Sequence, residues 1–130
     1  MQISEKEQAQ HAIEISGTNP KTCIQCGKCS GSCPVAKHMD LLPHRVVWEL
    51  GQGKISKVQQ SNTPWKCLSC FACSARCPKS IDPAALIEAV RLSIIRKQGE
   101  NRIKADDIPA LLDENMPQQA LVSIFRKYAK

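Results

Sequence analysis

A chain of 130 residues has the length of one domain, or of a compact centre with terminal extensions, and at 4% aromatic residues it offers little material for an ordinary apolar core. Its formal charge of +6 invites a nucleic-acid reading, but no basic strip interleaved with aromatics and no recognised nucleic-acid motif is present. A membrane span needs roughly 20 apolar residues, and the best stretch, Ala84 to Ile95, is interrupted by Glu88 and Arg91.

The chain divides into an N-terminal segment (1–19), a central domain (20–98) and a C-terminal extension (99–130). The first fifteen residues predict a weak helix with Ala9, Ala12 and Ile13 on one side. Next comes Cys23-x-x-Cys26-x-x-Cys29-x-x-x-Cys33-Pro34. Leu42 to Gly51 reads as a short helix, framed by Pro43 and Gly51, with Val46, Val47 and Leu50 on its apolar face. Lys54 to Lys57 and Ser61 to Pro64 read as a short turn and a loop.

The motif then repeats as Cys67-x-x-Cys70-x-x-Cys73-x-x-x-Cys77-Pro78. Asp82 as N-cap and Pro83 at the first position begin a helix, on which Leu86, Val90 and Ile94 recur every four residues. Arg96, Lys97 and Gly99 close it. Residues 100–115 read as a polar connector with a turn around Ile108 to Leu112. A last helix begins at Pro117, with Ala120, Leu121, Ile124, Phe125 and Tyr128 in one stripe that serves either as core or as a face for a partner subunit.

The two cysteine runs use all eight cysteines and match the bacterial ferredoxin spacing for cubane iron–sulfur clusters. Three cysteines at steps of three wrap one cubane, and the fourth, before a proline, ligates the other cluster. The spacing therefore assigns Cys23, Cys26, Cys29 and Cys77 to one [4Fe–4S] cluster, and Cys67, Cys70, Cys73 and Cys33 to a second. Zinc knuckles would leave the third cysteine of each run surplus. A disulfide scaffold would need an oxidising compartment, whereas the N-terminus has neither a basic n-region nor an apolar h-region, so the expected location is the cytoplasm.

Each oxidised cubane with four thiolates carries about −2, so two of them bring the loaded protein to roughly +2. Lys28, Lys66, Arg76 and Lys79 lie within or beside the motifs and together favour the reduced state. Bound clusters would act as part of the core, and the apo chain is expected to be largely unfolded. Gly27 and Gly31 are candidates for close approach of amides to sulfur, against an ordinary role in turns. Ser30, Ser32, Ser69 and Ser74 either donate to cluster sulfur or cap turns. His38 and His44 flank the first motif, but eight cysteines already satisfy eight irons. Of Trp48 and Trp65, Trp65 is the better candidate for packing on a cluster.

With its paired motifs, its helical insert Arg45-Val46-Val47-Trp48-Glu49-Leu50-Gly51 and the run Trp65-Lys66-Cys67-Leu68-Ser69-Cys70, the chain resembles the small iron–sulfur subunit of heterodisulfide reductase, the C subunit of that complex. The resemblance covers roughly residues 20 to 97, and Met116 to Leu121 is also similar to family members. It implies a mainly α fold, the α-helical ferredoxin, with two cross-ligated [4Fe–4S] clusters between short helices and a C-terminal helical extension.

The implied role is to pass single electrons between a flavin-containing A subunit and a B subunit whose cysteine-rich motifs hold the catalytic clusters. A hydrogenase, formate dehydrogenase or other oxidoreductase module is a further possible partner. This chain has no adjacent cysteine pair and no glycine-rich dinucleotide fingerprint, so neither the substrate chemistry nor flavin binding is expected on it. A freely diffusing two-cluster ferredoxin is the alternative, and the 53 residues after Cys77 stand against it. A zinc-stabilised nucleic-acid module is a third reading, separable by iron and sulfide content.

Overall fold

The computed structural model describes residues 4–96 and 105–126. Two compact units are present, Met1–Gln98 and Gly99–Lys130.

In the first unit α1 (Glu5–Ser16) begins with a capping box. The Ser4 backbone N–H donates to the Glu7 carboxylate at 2.8 Å, and the Glu7 N–H donates back to the Ser4 hydroxyl at 3.4 Å. Gly17, at φ 66°, takes the left-handed conformation that ends the helix. Ala9 and Ala12 are buried on the face towards α7 (Pro83–Ile95), where their small side chains let the two helices come close. The segment read as weakly helical is thus part of the core.

A 3-10 turn at Pro20–Thr22 delivers the first cysteines, and α2 (Lys28–Gly31) carries Cys29. After a second 3-10 turn at Ala36–His38, α3 (Pro43–Gly51) buries Val46, Val47 and Leu50, as its apolar spacing predicts. Burying each such side chain contributes about 1.5–3 kcal/mol. Glu49 is also buried, and its carboxylate accepts from the Lys57 ammonium at 2.6 Å.

Residues 54–64 are more helical than a turn and a loop. α4 (Ile55–Gln60) buries Ile55 and Val58, and α5 (Thr63–Lys66) follows with Pro64 in its first turn. Long-range bonds fix this segment. The Thr63 hydroxyl donates to the Leu41 carbonyl at 2.8 Å and accepts from the Leu41 N–H at 3.0 Å. Asn62 and Asp40 exchange side-chain-to-backbone bonds at 2.9 Å. Local propensity holds no trace of these partners, 22 residues away.

α6 (Ala72–Arg76) carries Cys73. α7 is capped by Asp82, which accepts from the Ala85 N–H at 3.0 Å, and it buries Leu86, Ile87 and Val90. Ile94 packs on the same core from a partly exposed position. Helices α1, α3, α4, α5 and α6 all pack on α7. The closing residues Lys97 and Gly99 lie outside the described residues.

The second unit holds a 3-10 segment at Ala105–Leu111 and α8 (Gln118–Arg126), where the sequence predicts a turn and a terminal helix. The side chains of Leu121, Ile124 and Phe125, and all of Tyr128, lie outside the described residues. The fold is mainly α, with no strand among the described residues.

Candidate metal centre

Both cysteine runs adopt one backbone pattern. Gln25 and Gly27 have φ of 55° and 76°, and their counterparts Ser69 and Phe71 have 52° and 59°. This left-handed region costs an L-residue roughly 1–2 kcal/mol, which Gly27 avoids and Phe71 does not. This turn lies between the first cysteine of each run and the short helix bearing the third.

Each short helix is tied to the start of a longer one. Ser30 on α2 pairs its hydroxyl with His44 Nδ1 at 2.7 Å and accepts from the His44 N–H at 3.1 Å, at the beginning of α3. Ser74 on α6 donates its hydroxyl to the Asp82 carboxylate, at the beginning of α7. These serines act mainly as ties between helices. Ser32 Oγ donates to the Lys28 carbonyl at 2.9 Å.

Two cavities result. The first, about 340 Å³ counted out to its solvent-open mouth, is lined by Cys23, Cys26, Cys29 and Cys77 with His44 and Lys79. The second, about 330 Å³, is lined by Cys33, Cys67, Cys70 and Cys73 with Met39 and Phe71. Each cavity thus takes three thiols from one run and one from the other. All eight cysteines are free thiols.

Exposure is graded in the same way at both cavities. Cys29 and Cys73 are buried, Cys26 and Cys70 are exposed, and the other four lie between. Burial pushes the Cys29 and Cys73 thiols up, the adjacent Ser30 and Ser74 partly offset this, and neighbouring cysteines add to the rise. Burial likewise lowers the His44 imidazole, helped by Arg45. A thiolate held in such a place needs a cation beside it, and an iron–sulfur core would supply one.

Among the described residues no three His, Cys, Asp or Glu side chains converge on a point that could hold a single metal ion. Tetrahedral zinc, with Zn–S near 2.3 Å, needs such convergence. Four thiols spread around the wall of a cavity fit a polynuclear core instead.

The tryptophan expectation does not hold. Trp48 and Trp65 are exposed, and neither lines a cavity. Met39 and Phe71 occupy the second cavity's wall in their place. Phe71 was findable, because aligning the two cysteine runs sets it opposite Gly27. Gly27 lines the first cavity, whereas Gly31 lines neither and has open space around it. His38 lines neither cavity, and Lys28, Lys66 and Arg76 are exposed.

Residues 20–81 match the family model described as a 4Fe-4S dicluster domain. The chain is similar to the C subunit of heterodisulfide reductase. Over 75 residues, 58% of this chain, it is 35% identical to the C subunit of the ferredoxin:CoB-CoM heterodisulfide reductase of Methanosarcina acetivorans. The matched stretch spans 30% of that relative's length. The fold is that of an α-helical ferredoxin, and iron–sulfur electron transfer is the role this domain supports. No described helix is long and apolar enough to cross a membrane.

Proposed function

We propose that this chain is the electron-transfer subunit of a cytoplasmic heterodisulfide reductase-like complex. It holds two [4Fe–4S] clusters, one on Cys23, Cys26, Cys29 and Cys77, the other on Cys67, Cys70, Cys73 and Cys33. Residues 20–98 form the cluster domain, and residues 99–130 serve docking. Each cluster takes up and releases one electron at a time. The donor and acceptor are a flavin-containing subunit and a catalytic subunit rich in cysteine, and no substrate is transformed on this chain itself.

The observation that carries this reading is the division of eight free thiols between two cavities, three plus one in each. The exposed ligands Cys26 and Cys70 supply a short path from each cavity to the surface. Exposed Ile24 and Leu68, each directly after the first cysteine of its run, offer apolar contact to a partner at those openings. The relative's name adds the reductase context.

Two measurements test the proposal. Anaerobic purification through a tag on the full chain is expected to yield about eight irons per chain, together with a flavoprotein and a subunit bearing adjacent-cysteine motifs. Zinc in place of iron refutes the redox reading, and an iron-loaded lone monomer makes the chain a diffusing ferredoxin. Second, Cys33→Ser is expected to damage the cluster on Cys67, Cys70 and Cys73 and to spare the other. Damage confined to the first-run cluster would overturn the shared-ligand assignment.

A further inference from the structure

We propose that the two clusters are unequal in potential, and that the one on Cys23, Cys26, Cys29 and Cys77 is the higher, so that a single electron rests there. This rests on the ligand sets proposed above. The argument comes from the near-symmetry of the two cavities, which lets each wall position be compared with its counterpart.

The matched positions differ in one direction. Gln25 donates its side-chain N–H to the Cys23 sulfur at 3.1 Å, and its second bond, to the His44 carbonyl at 3.1 Å, holds the amide in place. The counterpart of Gln25 is Ser69, whose side chain is two bonds shorter; among the described residues no side chain donates to Cys67 sulfur. Lys79, itself exposed to solvent, follows Cys77-Pro78 and lines the first cavity, and Val35 stands in the same place after Cys33-Pro34 in the second. His44 lines the first cavity where Ala84 lines the second. Backbone N–H groups of Gln25 and Ile81 also donate to Cys23 and Cys77 sulfurs, at 3.4 and 3.3 Å.

Reduction adds one negative charge to a cubane, and that charge spreads onto the thiolate sulfurs. An N–H aimed at a sulfur and a nearby ammonium both stabilise the reduced form more than the oxidised one.

Two features oppose this. The backbone N–H of Ala84 lies beside Cys73. Arg91 donates to the Cys67 carbonyl at 3.0 Å and the Pro64 carbonyl at 2.8 Å. The guanidinium charge is directed at two carbonyl oxygens rather than at sulfur, and Arg91 does not line the cavity. The first cavity keeps the excess of donors and positive charge. An electron arriving on the second cubane therefore passes to the first, which is reduced by one electron as the second is oxidised by one.

The test is a dithionite titration of the iron-loaded full chain, followed by electron paramagnetic resonance, for wild type, Gln25→Ser and Lys79→Val. Each variant installs the residue of the other run, and serine already occupies this backbone conformation at Ser69. The expected result is two one-electron steps in wild type. Gln25→Ser should shift the higher step downwards by about tenfold in the reduction equilibrium, about 59 mV for one electron, and Lys79→Val should shift it the same way. The lower step stays in place. A shift of the lower step, or two unmoved steps with eight irons retained, overturns the inference alone. Fewer than eight irons in wild type overturns the ligand assignment with it. If Gln25→Ser fails to load, Lys79→Val decides.

Discussion

Arg91→Met removes the two bonds by which α7 grips the approach to the second cysteine run while keeping an apolar stem of similar length. Each is a charge-assisted bond to a backbone carbonyl, worth about 1.5–3 kcal/mol in full burial. Arg91 is half-buried, and solvent recovers part of each carbonyl's bonding, so we expect a local loss of about 2–4 kcal/mol. At 1.4 kcal/mol per factor of ten, that opens the segment about 30 to 700 times more often. Hydrogen exchange by mass spectrometry on the anaerobic, iron-loaded chain reads this directly, comparing residues 62–72 with residues 20–33. The first stretch should exchange faster by that factor and the second should not change. Arg91→Lys, able to restore one bond, should recover about half the loss in free energy. Acceleration below about threefold, under 1 kcal/mol, or equal acceleration in both stretches would refute the reasoning.

Gly27→Ala meets no protein atom within 4 Å but lines the first cavity, so it should cost at least the left-handed backbone term of about 1–2 kcal/mol, whereas Gly31→Ala carries no such penalty and should be neutral or stabilising in α2; denaturant midpoints of iron release separate the two. Asp82→Ala removes the α7 cap and the anchor of Ser74 together, a loss of about 2–3 kcal/mol, and should increase exchange at the start of α7 and in α6 more than in α1. Deletion of residues 116–130 should weaken recovery of partner subunits and leave iron content unchanged; loss of iron in that truncation would make the segment part of the cluster core.

The helical framework was legible wherever a local rule sufficed. The apolar spacing of Val46, Val47 and Leu50 marks the buried face of α3, and Asp82-Pro83 marks the start of α7. The eight cysteines announced an iron–sulfur centre because few other chemistries use that spacing. What local rules missed depends on distant partners. α5 is pinned through Thr63 and Leu41, and α1 is core because its two alanines meet α7. Glu49 is buried, and the partner that makes this tolerable, the Lys57 ammonium, stands eight residues on where no local rule names it. Trp65 reads as a shield because it stands two residues before Cys67, but the turn of α5 leaves it exposed while Met39 and Phe71 line the cavity. Proximity in sequence to a ligand says little about which way a side chain faces.

The exchange of one thiol between the two runs has a consequence for how the protein is made. Synthesis runs from the N-terminus, so Cys23, Cys26 and Cys29 leave the ribosome well before Cys77, the fourth thiol lining their cavity. The second cavity gathers its last thiol at Cys73, just four residues earlier. Both sets of thiols therefore become complete within the same short interval of translation. Neither run is a self-sufficient half: a chain truncated between them would keep Cys33 but lack Cys77, the fourth thiol of the first cavity. The thiols of both cavities are thus all present only once the short stretch from Cys73 to Cys77 has been made.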